Sequence, residues 1–125
     1  MKSLQLYTNA PIDSIKIRSA LEPIFPGIII EPTGTYWGKP PKSWQLFTYK
    51  TRIKDEEPTF TEEDQALIPI INPYYTDLDF HDETIAKKAV NAIWSVYPEL
   101  YVYEDQLGWT GPAEEYIELD YSNFD

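Results

Sequence analysis

Between residues 82 and 97 the side chains Ile85, Ala86, Ala89, Val90, Ile93 and Tyr97 recur at helical spacing and draw one broad apolar stripe. Asp82 offers an N-cap, Glu83 suits the positive first turn, and Pro98 stops the run. A helix with one such stripe buries it against a second layer. The rest of the chain must therefore supply a matching apolar surface, and its other ordered segments alternate mostly with a period of two. In residues 3–8, Leu4 and Leu6 alternate with Gln5 and Tyr7, as in a strand with one buried face. Residues 43–53 form the longest strand-like stretch, with Trp44, Leu46 and Thr48 on one face and Phe47, Tyr49 and Ile53 on the other.

A second, shorter helix is expected after Pro11, where Ile17, Ala20, Leu21 and Ile24 share a face; Pro23 ends it and a turn closes at Pro26-Gly27. The β-branched run at 28–32 reads as a strand buried on both faces. Gly34-Thr35-Tyr36-Trp37-Gly38-Lys39-Pro40-Pro41 reads as a turn-rich loop. Residues 65–75 are apolar but carry Pro69 and Pro73, so an edge segment or packed loop is expected there. Residues 100–104 and 115–121 read as a C-terminal pair of strands, in which Ile117 and Leu119 oppose Tyr116, Glu118 and Asp120. The resulting order is β-α-β-β-α-β plus one extra C-terminal strand. It predicts an α+β fold, ferredoxin-like, with two helices on one face of an antiparallel sheet and an acidic, proline-containing insertion at about 54–81. A less regular α+β sheet, in which that insertion supplies another strand, is the alternative. With 125 residues the chain fits one domain.

Charge is distributed unevenly. Residues 1–53 carry seven bases and three acids, a net of +4, whereas residues 54–125 carry three bases and eighteen acids, a net of −15; the two make the overall −11. From Glu99 onward there are eight acids and no base. Phosphate binding needs an excess of Lys and Arg, so direct nucleic-acid binding is not expected. The acidic surplus points to a basic protein partner.

Ten Tyr, four Trp and five Phe are the second anomaly, because Tyr and Trp supply the large rigid anchors of protein interfaces. Trp44, Phe47 and Trp94 fall on core-facing positions by periodicity, whereas Tyr36, Trp37, Tyr101, Tyr103, Trp109, Tyr116 and Tyr121 fall in loops or the terminal pair of strands. Acids and aromatics coincide at Glu104, Asp105, Trp109, Glu114, Glu115, Tyr116, Glu118, Asp120 and Tyr121, which are the expected partner-binding residues. A solvated edge strand also carries charge, which guards it against aggregation. Eight acids without a compensating base exceed that need.

Catalytic spellings are few. Asp77, Asp79 and His81 would share one face of an extended segment and could hold a divalent cation for a small metal-dependent hydrolase. The competing reading makes Asp79 or Asp82 a helix cap and His81, the only histidine, a junction residue. No Cys is present, which excludes disulfides, Cys-ligated metals and a Cys nucleophile. No Gly-x-Ser-x-Gly elbow, P-loop or dinucleotide fingerprint appears. No catalytic residue, metal or other cofactor is expected. Residues 1–7 lack the apolar core of a secretory peptide, and the longest aliphatic run is Ile28-Ile29-Ile30, so a cytoplasmic protein without a membrane contact is expected.

In size, charge and aromatic content the chain resembles the small acidic immunity proteins that neutralise bacterial nuclease toxins. The resemblance implies a stoichiometric, non-catalytic inhibitor that occludes the basic active-site cleft of a cognate toxin. A phage-encoded nucleic-acid mimic is a near relative of that reading, and a homo-oligomer subunit whose aromatics are buried between copies is a structural alternative.

Overall fold

The sheet is built around its first strand. In the computed structural model, which describes residues 2–31, 34–56 and 60–124 apart from the side chains of residues 49 and 50, β1 (Lys2–Thr8) is flanked on both sides. One neighbour is β5 (Tyr74–Phe80), the other β6 (Tyr101–Glu104), and both pairings are antiparallel. The remaining strands are β2 (Ile29–Glu31), β3 (Gly34–Lys39), β4 (Lys42–Arg52) and β7 (Trp109–Pro112). Together they form a seven-stranded antiparallel sheet in the order β2-β3-β4-β5-β1-β6-β7. Among the described residues five α-helices accompany them: α1 (Ser14–Leu21), α2 (Ile53–Glu56), α3 (Glu62–Ala66), α4 (Glu83–Val96) and α5 (Ala113–Ile117).

α1 and α4 lie on one face of the sheet. Asp13 caps α1 by accepting from the Ile15 amide, and Asp82 caps α4 by accepting from the Thr84 and Ile85 amides. Ile17 and Leu21 of α1 meet Ile85, Ala86, Ala89, Val90 and Ile93 of α4 over Leu4, Leu6, Trp44, Leu46, Leu78 and Phe80 of the sheet. On the opposite face Gln5, Gln45, Phe47, Asp77 and Asp79 are only half-buried. Near one end, Ile53 and residues 60–73 lie over this face and bury Ile53, Ile68 and Ile70 against Tyr7 and Tyr75.

The α+β class and the antiparallel sheet agree with the sequence, but the strand order differs from the ferredoxin-like four-stranded sheet. Three local readings account for the difference. Residues 34–39 form β3, since the glycines read as turn signals serve close backbone approach: a Cβ on Gly34 would lie 2.7 Å from the Leu46 carbonyl oxygen, and one on Gly38 would lie 2.2 Å from that of Lys42. Residues 74–80 form a central strand within the expected insertion at 54–81; Pro73 precedes it and takes no ladder position. Residues 115–121 are not a strand. Pro112 sits at the extended position before α5, Glu114 and Glu115 occupy its positive first turn, and Ala113 and Tyr116 turn inward three residues apart.

At the sheet's edge, β2 contradicts the expectation of burial on both faces, because Ile29 is 58% exposed. Pro32, residues 57–59 of the insertion and the facing of Tyr49 lie outside the described residues and side chains. Phe47, on the less covered face, is half-buried rather than a core residue. Among the described residues no helix is long and apolar enough to cross a membrane.

Candidate partner-binding face

The nine expected binding residues do not form one patch. Glu104 and Tyr116 are each 0% exposed, so neither can touch a partner. Glu104 points to the helix-bearing face, opposite Leu4 of β1, because alternation along β6 puts it there with Val102. Its carboxylate accepts from the Tyr121 hydroxyl at 2.5 Å and from the Gln106 amide at 3.0 Å. The Tyr121 hydroxyl is also 2.7 Å from that of Tyr116. Burial raises both phenols well above the ordinary tyrosine range, and for Tyr121 the adjacent carboxylate pushes the same way. Lys2 and Lys87 stand 5.4 and 5.7 Å from the Tyr121 ring centre, and Lys87 donates to the Leu119 carbonyl. These groups dock the C-terminal 3-10 turn (Tyr121–Phe124) against the start of α4. The sequence reads them as surface residues, because Tyr116 and Tyr121 sit in a segment whose short alternation mimics a strand.

The other expected residues are accessible but point to different places. Trp109 is half-buried, 6.0 Å from the Tyr116 ring, and lies across Gly111, where a Cβ would come within 2.6 Å of the indole. A Cβ there would also stand 3.4 Å from a Glu115 carboxylate oxygen, so indole and acid are close neighbours. Glu114 lines a cleft with Glu99, Trp94 and Tyr101. Glu118 and Asp120 are exposed; Ser122 donates to Asp120 from its hydroxyl and its amide and holds that carboxyl below its ordinary range. Two ion pairs occur among the described residues, Lys2–Glu83 and Arg18–Glu22, and neither involves an acid beyond Glu99.

Asp105 faces the less covered side of the sheet, which sequence reasoning did not single out. There a cleft of about 440 Å³ opens between the sheet and residues 60–68, lined by Gln5, Tyr7, Phe60, Asp64, Leu67 and Tyr103, among others. A smaller hollow of about 180 Å³ adjoins it, sharing Gln5 and Tyr103 and adding Asp77 and Asp105. Every acid in this region is positioned by local structure. Asp64 belongs to a capping box at α3: it accepts from the Thr61 amide at 2.9 Å while the Thr61 hydroxyl accepts from the Asp64 amide. Asp77 lies on β5 opposite Gln5 of β1, and Asp105 follows the last residue of β6. Tyr103 lines both hollows and so stands between Asp64 on one side and Asp77 and Asp105 on the other. Burial raises its phenol first, and Asp105 and Asp64 add to the rise. Asp64 comes from the acidic insertion and Asp105 from the acidic C-terminal part, two regions 41 positions apart in sequence. Among the described residues no Lys or Arg lines either hollow.

Asp77 and Asp79 share a face of β5, as alternation requires, while His81 lies past the strand's end. Among the described residues no group of three or more His, Asp or Glu is placed to hold a metal ion. The two hollows thus bring carboxylates and phenol rings together on one side of the sheet. Comparison with known proteins finds no matching family model, no matching curated protein and no matching solved structure.

Proposed function

We propose that this chain is a binding protein that neutralises a basic protein partner by occluding its cleft, acting in the manner of an immunity protein against a nuclease toxin. The convergence of Asp64 and Asp105 on Tyr103 carries the reading, because it joins the two acidic stretches of the sequence in one concave, aromatic-walled site. Carboxylates there steer encounter and set register, while the tyrosines supply contact area. The mechanism is stoichiometric and needs no bond-making step. Trp109 with Glu115, on the other side of β7, extends the acidic surface beyond the cleft.

The test is capture of the partner from the native host, followed by association kinetics with the full chain. The association rate should fall about tenfold or more between low and physiological salt, as expected of electrostatically steered encounter. Asp64→Lys together with Asp105→Lys should lower it further, whereas Glu31→Lys, on the far edge strand, should leave it nearly unchanged. A rate indifferent to salt, or equal effects of the two sets of reversals, would overturn the reading.

A further inference from the structure

Residues 67–71 alternate like a strand but pair with none among the described residues. Ile68 and Ile70 turn down onto Tyr7 and Tyr75, and Leu67 and Ile71 turn outward, 60% and 82% exposed. Leu67 and Ile71 are two of six large hydrophobics exposed among the described residues, and what sets them apart is that the segment carrying them is held firmly between two clefts. The Gln65 amide donates to the Ile68 and Ile70 carbonyls at 3.2 and 2.8 Å, and its carbonyl accepts from the Asn72 amide at 2.8 Å. Arg52 donates to the Asn72 carbonyl at 2.9 Å and stacks on Tyr74, the Ile53 amide donates to the Pro73 carbonyl at 2.8 Å, and Asn72 adopts a φ of 44°. A loop fixed in this way loses little entropy on binding, which is the property that separates an interface anchor from a floppy apolar turn.

The ground on either side of this strap is acidic. On the Leu67 side lies the cleft with Asp64 and Tyr103. On the Ile71 side lies a second cleft, of about 610 Å³, with Glu99, Glu114, Trp94 and Tyr101. It opens near the C-terminal end of α4, whose last turn carries no basic residue to offset the negative helix end. Among the described residues, neither cleft is lined by a Lys or Arg.

We propose that the strap at 67–71 is the apolar anchor of the partner interface. Leu67 and Ile71 enter hollows on a protein surface whose Lys or Arg side chains descend into the two acid-lined clefts beside them. This rests on the reading of the chain as an acidic binding protein, and adds where the affinity resides.

Selection of a displayed library of random peptides on the immobilised full chain tests it. Enriched peptides should combine a large apolar residue with Lys or Arg, and Leu67→Ser and Ile71→Ser should each weaken the tightest of them about tenfold. Both side chains stand in solvent, so melting temperatures of these variants should match the parent's. Gln65→Ala, which frees the strap, should also weaken binding while leaving the outward side chains intact. If basic peptides bind both Ser variants as they bind the parent, the anchor is overturned and the acidic-binding reading stands. If enriched peptides lack bases, or none is enriched, both are overturned. If sedimentation equilibrium shows a dimer that Leu67→Ser dissociates, a second copy covers the strap and the proposal fails.

Discussion

Tyr121 shows how one hydroxyl can decide the state of a buried acid. Glu104 has two hydrogen-bond donors, and one of them is this phenol. Tyr121→Phe should therefore destabilise the fold by about 1–3 kcal/mol, the penalty for leaving a buried polar group short of a partner, read by urea denaturation. The pH dependence has a definite sign. Tyr116 and Tyr121 titrate above their ordinary value of 10.0 in the folded chain, so above that pH the unfolded chain binds fewer protons than the folded one. Stability contributed by these phenols is full below pH 10 and falls as pH rises past it; the fall should be shallower in Tyr121→Phe, as followed by melting temperature between pH 9 and 11. Neither the burial of Tyr116 nor the inward-turned hydroxyl of the half-buried Tyr121 was legible in the sequence. Their burial depends on α5 turning where a strand was expected, and a five-residue window such as 116–120 satisfies a period of two and a helical turn equally.

At the scale of elements, legibility followed length and local closure. α4 spans 14 residues with a cap, a stripe and a stop, and all were readable before any tertiary contact was known. β3 was not, because Gly34 and Gly38 carry the same letters whether they make a loop or allow two backbones to approach. Gly38 has a φ of 80° in addition to its close approach. Gly38→Ala should destabilise the fold by more than about 1 kcal/mol, because alanine is strained at that φ and its Cβ would meet the Lys42 carbonyl oxygen. Hydrogen exchange should rise first in β2, β3 and the start of β4 while α4 stays protected, since those strands form the sheet's far edge. The candidate cleft was illegible for a related reason. Asp64 reads only as part of a cap, and its approach to Tyr103 follows from the placement of residues 60–73 over a sheet whose register no local pattern specifies.

For the molecule as a whole, the −11 charge acts in two directions that experiment can separate. Self-repulsion among the acids destabilises the compact state, so added sodium chloride should raise the melting temperature of the free chain. The same salt should slow association with a basic partner. A chain whose stability and association fell together with salt would owe its acids to internal ion pairs, which the two pairs Lys2–Glu83 and Arg18–Glu22 do not suggest. The position of β1 has a consequence for how the protein is made. Leu4 faces Leu78 on one side and Glu104 on the other, so one edge of β1 stays open until residues 74–80 are translated and the other until residues 101–104 are. Leu4 and Leu6 then travel uncovered through synthesis. Ribosome-stalled fragments ending before Val102 should remain open to protease and recruit holding chaperones, and closure of the sheet should come as one late step after the strands of the second half emerge.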